Sequence, residues 1–223
     1  MQSLQKVKAL VFDAYGTLFD VFSLGKRLSE HFPQQASSIN PIWRKKQLEY
    51  TWLRTMMGRY VPFSQITEEA LRFACKQVNV SLSEEIHQDL MQYYFSLDAF
   101  PEVPDIFIQL KSTYQLAILS NANREMLDQA AAHNKISQHL SAIFSVDDIG
   151  IYKPQPEVYQ MLVDSFGFAK EEIAFVSSNT WDVAGAKSFG LKVIWLNRSA
   201  GQMEELGITP DLTISHLKEL LDS

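Results

Sequence analysis

The sequence is short of several things at once, and each shortage removes a class of explanation. Cys75 is the single cysteine among 223 residues, so no disulfide forms within the chain and a reducing compartment suits it. Within Leu71-Arg72-Phe73-Ala74-Cys75 that thiol reads as a packed helical side chain rather than a reactive one. An excess of positive charge is missing, since 20 basic against 26 acidic residues leave a formal charge of −6. That argues against a general nucleic-acid or anionic-membrane surface and leaves room only for a local basic pocket. Long apolar runs are missing too: the clearest strand-like runs are about four to six residues, far short of a membrane span. Met1-Gln2-Ser3-Leu4-Gln5-Lys6 carries no apolar stretch of a signal peptide. His31, His87, His133, His139 and His216 lack metal-ligand spacing and read as surface or helix-end residues. No internal repeat or low-complexity segment is visible. A soluble cytoplasmic protein is therefore expected, with 46% hydrophobic residues supplying the core of one domain with an insertion, or of two domains.

What is there is an alternation of short apolar runs and amphipathic stretches. Residues 7–13 form a strand apolar on both faces, hence a central one. From 20 to 96 the texture is helical, with apolar residues at helical spacing over 24–32, 39–57, 66–78 and 82–95. Thr67-Glu68-Glu69 and Ser83-Glu84-Glu85 read as helix starts, a hydroxyl followed by acids. After Pro101 and Pro104 the alternation resumes. Helices are expected at 105–112, 124–133, 157–166, 183–189 and 217–221, and strands at 116–120, 142–144, 173–177, 192–196 and 212–214. Strands separated by helices pair in parallel through right-handed crossovers. The expected fold is α/β, a doubly wound parallel sheet, Rossmann-like, built from 1–19 and 97–223, with an all-helical insertion at 20–96.

Three strands end in short polar groups. The first delivers Asp13, followed by Gly16 and Thr17; the second delivers Ser120-Asn121; the third delivers Ser177-Ser178-Asn179 and then Asp182. In a parallel sheet those carboxyl ends converge on one edge, which Lys153 of Gly150-Ile151-Tyr152-Lys153-Pro154 also reaches. Each residue alone has a plainer use: Asp13 can cap a turn, and each Ser or Asn can cap the next helix. All of them together, with a lysine, favour a functional cluster.

At this point the sequence resembles the haloacid dehalogenase superfamily, through Asp13 with Thr17, Ser120, Lys153 and the acidic loop ending at Asp182, with a helical cap inserted after the first strand. Two departures separate it from the superfamily's phosphatases. Tyr15 stands where they keep a second aspartate, and Ser177-Ser178-Asn179 stands where they keep a magnesium-binding acid. Phosphoryl transfer sets a carboxylate against a multiply charged phosphate and uses a metal to offset the repulsion, whereas a halide leaves carbon as a stable anion without needing a proton. The closer similarity is to the L-2-haloacid dehalogenases. It runs along essentially the whole chain, including Trp43-Arg44 and Gln47-Leu48-Glu49-Tyr50-Thr51-Trp52-Leu53-Arg54 of the cap.

That resemblance implies roles residue by residue. Asp13 would displace halide from the second carbon with inversion and form an ester, oriented by Thr17. Ser120 and Lys153 would engage the substrate carboxylate or that of Asp13, and Arg44 with Asn121 would bind the departing halide. Asp182, held by Ser177 and Asn179, would activate the hydrolytic water, with Tyr159 in the same network. Tyr15, Leu48, Phe63 and Trp181 would line the alkyl pocket. It further implies no cofactor and no metal, a small 2-haloalkanoate as substrate, and a homodimer with the aromatic-rich cap as interface. Without the resemblance, Arg44-Lys45-Lys46 reads as a solvated helix face, Trp181 and Phe63 as core, and Tyr159 as packing. Lys45 and Ala122-Asn123 depart from the family near the pocket, where glutamine and glycine-serine are common, and bear on substrate range. A phosphatase, or a catalytically idle binding module on the same fold, are the competing readings.

Overall fold

The computed structural model describes residues 4–222, so Met1–Ser3 and Ser223, which the expected boundaries include, lie outside the described residues. Six strands, β1 (Ala9–Phe12), β2 (Gln115–Ser120), β3 (Ala142–Ser145), β4 (Ile173–Ser177), β5 (Lys192–Leu196) and β6 (Leu212–Ile214), form one sheet in the order β3-β2-β1-β4-β5-β6. Every neighbouring pair is parallel. The uninterrupted apolar β1 sits in the middle with all its residues buried, as a strand covered on both faces must. It is shorter than 7–13 because Val7 closes a turn onto the Leu4 carbonyl (3.0 Å) and pairing ends at Phe12, opposite Ile118 and Val176.

The chain winds from β1 outward through β2 and β3, then crosses back to β4 and winds the other way. The reversal falls between β1 and β4, so a crevice opens at their carboxyl ends. Asp13 follows β1 at this point, its amide bonded to the Val176 carbonyl at 2.9 Å. Gly16, at φ +90°, then turns the chain back in a conformation a side chain would resist.

Between β1 and β2 lie α1 (Leu24–His31), α2 (Ala36–Met56), α3 (Phe63–Gln77) and α4 (Glu84–Phe95), followed by α5 (Val103–Leu110), which opens with Pro104 in its first turn. The chain enters and leaves this helical block side by side, Asp20 N–H to the Asp98 carbonyl (2.8 Å) and Phe100 N–H to the Leu18 carbonyl (2.9 Å). Ser83 caps α4 as expected, accepting from Ile86 N–H at 3.3 Å. Thr67 does not start α3. The helix begins at Phe63, just after Pro62, and Thr67 is buried inside it, donating to the Phe63 carbonyl and accepting from Gln47 Nε2. His87, expected at the surface or at a helix end, lies near the start of α4 and is buried. Cys75 packs inside α3, where burial pushes its thiol up to about 11.

In the rest of the chain α6 (Arg124–His133) connects β2 to β3, α7 (Pro156–Phe166) connects β3 to β4 and α8 (Thr180–Phe189) connects β4 to β5, and the chain closes with a 3₁₀ turn at Leu217–Asp222 rather than an α-helix. The α8 helix starts before the expected Val183, since Asn179 occupies its N-cap position; Trp181 and Asp182 thereby enter its first turn. Buried side chains of the helical block and the sheet form one contiguous core. A clasp also ties them together: Tyr60 hydroxyl to Asp147, Tyr152 hydroxyl to the Val61 carbonyl (2.6 Å), Ser64 N–H to Asn123 Oδ1 (3.1 Å), and Tyr152 N–H to Thr55 Oγ1 (3.2 Å). Among the described residues no helix is long and apolar enough to cross a membrane.

Candidate active site

The crevice gathers residues from four parts of the chain. Asp13 Oδ2 accepts hydrogen bonds from Thr17 Oγ1 (2.9 Å), Asn179 Nδ2 (2.7 Å) and Ser177 Oγ (3.4 Å). Asp13 Oδ1 accepts from Lys153 Nζ at 3.1 Å. The same ammonium donates to Asp182 Oδ2 at 2.8 Å, so one cation spans both carboxylates. Tyr159 donates to Asp182 Oδ1 at 2.6 Å, and Ser177 reaches Oδ2 at 3.5 Å. Lys153 and Asp182 are fully buried, while Asp13 is 5% exposed.

Backbone geometry holds each group in place. The Thr17 hydroxyl donates to Asp13 and accepts from Ser178 N–H at 2.9 Å, which stitches the β1 loop to the β4 loop. Arg198 braces that loop from outside, donating to the Thr17 carbonyl at 3.1 Å while pairing with Glu102. Asn121 Oδ1 accepts Lys153 N–H at 2.9 Å and fixes where the lysine departs from the backbone. Ser120, at the end of β2, turns its hydroxyl to Ala122 N–H (3.1 Å). Gly185 was not anticipated. A Cβ there would lie 2.5 Å from Pro154 Cβ and 2.6 Å from the Tyr159 hydroxyl oxygen, so its bareness lets Tyr159 reach Asp182. The available signal was a glycine inside a helix, which usually has a packing reason.

The electrostatics follow from burial. Asp182 is pushed up to about 6, chiefly by desolvation, with Asp13 adding to the rise and Lys153 opposing it. Burial alone would lower Lys153; Asp13 and Asp182 outweigh it and leave its ammonium raised, hence charged. Burial and the neighbouring Asp182 carboxylate raise Tyr159 well above its ordinary range, so it stays a donor.

Above this floor lies a small, tight pocket lined by Asp13, Tyr15, Arg44, Leu48, Phe63, Ser120, Asn121, Ala122, Asn179 and Trp181. Arg44 comes down from α2, its Nη2 3.4 Å from both the Tyr15 carbonyl and Asn179 Oδ1. It therefore faces inward and is not a solvated surface residue. Tyr15 hydroxyl, Asn121 Nδ2 and Trp181 Nε1 are buried around the pocket without a hydrogen-bond partner, a costly state unless a ligand supplies acceptors. One expected contact is corrected. The Asn179 side chain does not hold Asp182; its amide is spent on Asp13 and the Tyr15 carbonyl (3.3 Å), and Lys153 and Tyr159 take over the hold on Asp182. Lys45 lies outside this pocket.

A buried carboxylate, oriented and charge-balanced, beside a second carboxylate of raised pKa is equipped for covalent displacement followed by hydrolysis. Residues 7–190 match the family model of haloacid dehalogenase-like hydrolases. The chain belongs to this family. It is 42% identical to an (S)-2-haloacid dehalogenase of Pseudomonas sp. strain YL over 217 residues, 97% of this chain and 94% of the relative. A solved L-2-haloacid dehalogenase superposes with a TM-score of 0.95 at 37% identity, covering 97% of each chain. Another, the enzyme of Xanthobacter autotrophicus with chloropropionic acid covalently bound, superposes at 0.90 with 33% identity over 97% of each chain.

Phosphatases of the haloacid dehalogenase-like hydrolases hold magnesium beside the nucleophile. The donor set here does not fit that ion, which requires about six oxygens in an octahedron. The space between Asp13 and Asp182 is bridged by the Lys153 ammonium, Tyr15 and Ser178 replace the acids, and no cluster of three metal-binding side chains occurs among the described residues.

Proposed function

We propose that this chain is a hydrolytic dehalogenase converting L-2-haloalkanoates to D-2-hydroxyalkanoates and halide. The observation that carries the reading is the surroundings of Asp13: its carboxylate oxygens are taken by Thr17, Asn179 and Lys153, while Tyr15 and Ser178 stand where phosphoryl-transfer relatives keep their acids. The names of the relatives, and the covalently bound chloropropionic acid of one of them, support it.

Asp13 attacks the second carbon from the side opposite the halogen; the carbon–halogen electron pair leaves with the halide and an ester bond forms. Arg44 and the unpartnered amide of Asn121 receive the anion, Ser120 contributes to holding the substrate carboxylate, and Lys153 engages the Asp13 carboxylate. Tyr15, Leu48, Phe63 and Trp181 give the alkyl group an apolar surface. Asp182 then takes a proton from water, whose hydroxide adds to the carboxyl carbon of Asp13; collapse breaks the ester and the proton passes to the departing hydroxyl oxygen. Thr17, Ser177, Asn179 and Tyr159 keep the two carboxylates in register. Inversion occurs once because the second step never touches the second carbon. No cofactor enters either step.

We further assign 20–96 as a cap over the core formed by the rest of the chain, a cytoplasmic location consistent with the single buried Cys75, and a homodimer. The test is to offer the protein L- and D-2-chloropropionate and an aryl phosphate in EDTA. Chloride from the L-acid alone is the expected result. Phosphate release that depends on added magnesium would overturn it in favour of a phosphatase, and silence on every substrate would favour a binding module.

A further inference from the structure

Beside the catalytic pocket lies a larger open groove of about 520 Å³, walled by Val21, Phe22, Leu24, Pro41, Trp43 and Tyr94. Arg44 and Leu48 line both cavities, so the two abut along this face of α2. The catalytic pocket holds little beyond a short acid; a longer alkyl chain must continue elsewhere, and the groove is the adjoining apolar space. Its charged lining is Arg44 and Lys45 alone. Arg44 is turned toward Tyr15 and Asn179, which leaves Lys45 facing the groove. Lys46, next in the chain, is taken by Glu49 at 2.8 Å, whereas Lys45 is exposed and pairs with no carboxylate among the described residues.

We propose that this groove is a second part of the substrate site, where Lys45 receives the distal carboxylate of a 2-halo dicarboxylic acid whose methylenes lie along the apolar wall. The inference rests on the dehalogenase reading and names the substrate class that site prefers. A neutral tail would use the wall but not the cation; a dicarboxylate uses both. Each methylene laid on the wall raises kcat/KM about threefold. The Lys45 contact contributes about fivefold, the upper range for a partly exposed ion pair, and weakens with added salt. Lys45 lines the groove and not the catalytic pocket, so its effect falls on KM.

The test compares kcat/KM for L-2-bromosuccinate, L-2-bromoglutarate and L-2-bromoadipate with the monoacids L-2-bromobutyrate, L-2-bromovalerate and L-2-bromohexanoate, in the wild type, Lys45→Gln and Lys45→Glu. The diacid-to-monoacid ratio should peak at one chain length. At that length it should fall about fivefold in Lys45→Gln and roughly 20-fold in Lys45→Glu, through KM and more weakly at high salt. A ratio that is the same in all three proteins overturns the proposal. A wild type that releases bromide from none of the acids overturns the dehalogenase reading first, whereas activity with a flat length profile overturns this inference alone. Phe22→Ser should flatten the length dependence without changing the sedimentation coefficient. If it instead splits an oligomer and leaves the profile as it was, the groove is covered by a second copy and the proposal falls.

Discussion

On the sheet side of the pocket Asp13 accepts hydrogen bonds from Thr17, Ser177, Asn179 and Lys153, whereas on the helix side Arg44 makes two contacts, both at 3.4 Å. The floor is a closed circuit whose cation and carboxylates satisfy one another in the dry interior. The rim is unfinished, with donors on Tyr15, Asn121 and Trp181 left open. Donors set in advance around a charge cost nothing to arrange at the moment of reaction. Donors left open are satisfied only when an anion arrives. The difference teaches where damage will register: changes in the floor should act on turnover, and changes at the rim on substrate choice.

The largest expected effect is at the nucleophile. Asp13→Asn should lower turnover by at least about 10⁴-fold, as loss of a catalytic nucleophile does elsewhere, with an unchanged circular dichroism spectrum. Retained halide release would remove Asp13 from its role. Asp182→Asn comes next: ester hydrolysis should slow by roughly 10³-fold while ester formation survives, so intact-mass measurement should show a substrate adduct on Asp13. In the wild type the same base sets the pH dependence. Asp182 works ionised; desolvation, the chief cause that raises it to about 6 in the free site, persists in the ester while the Asp13 charge is lost. Hydrolysis should therefore be constant at higher pH and fall about tenfold per unit on a limb between the ordinary carboxylate range and about 6. A limb near the ordinary carboxylate range would contradict the buried base.

Gly185→Ala probes whether the floor is as rigid as its hydrogen bonds imply. The added methyl meets Pro154 and Tyr159 inside contact distance. Thermal melting should show a loss of about 1–3 kcal/mol, and turnover should drop about tenfold as Tyr159 is pushed from Asp182. A neutral result would mean that α8 shifts freely. The smallest effect belongs to the rim: Leu48→Ala should raise KM about threefold with little change in kcat, and a larger loss in kcat would erase the distinction between floor and rim.

The sheet was legible because its strands are apolar runs of the right length, and β1 announced its central place by having no polar face. The convergence of Asp13, Lys153 and Asp182 followed from parallel topology. Detail was lost where periodicity is silent. Arg44-Lys45-Lys46 is a charged run, and spacing alone does not say that Arg44 turns inward, Lys46 to Glu49 and Lys45 to a groove; for Arg44 only the family resemblance did. Thr67-Glu68-Glu69 mimics a helix start, yet Pro62 was the stronger boundary, since proline suits a helix opening and Thr67 could bond backward to Phe63. The resemblance set Asn179 beside Asp182, whereas its side-chain amide reaches Asp13, a residue distant in sequence that becomes its neighbour only after β1 and β4 pair.

The clasp between the helical block and the loops of the sheet has a consequence in time. Its bonds through Tyr60, Tyr152, Ser64 and Thr55 must break together before the block can lift. Motions that break several bonds and expose a shared core are rarer than fluctuations of a single side chain at a rim. Traffic of acid and halide therefore belongs to the fast, local movements around Arg44, Lys45 and Phe22. The amides of Ser64 and Tyr152, both hydrogen-bonded across the clasp, should exchange with solvent only as fast as the block lifts.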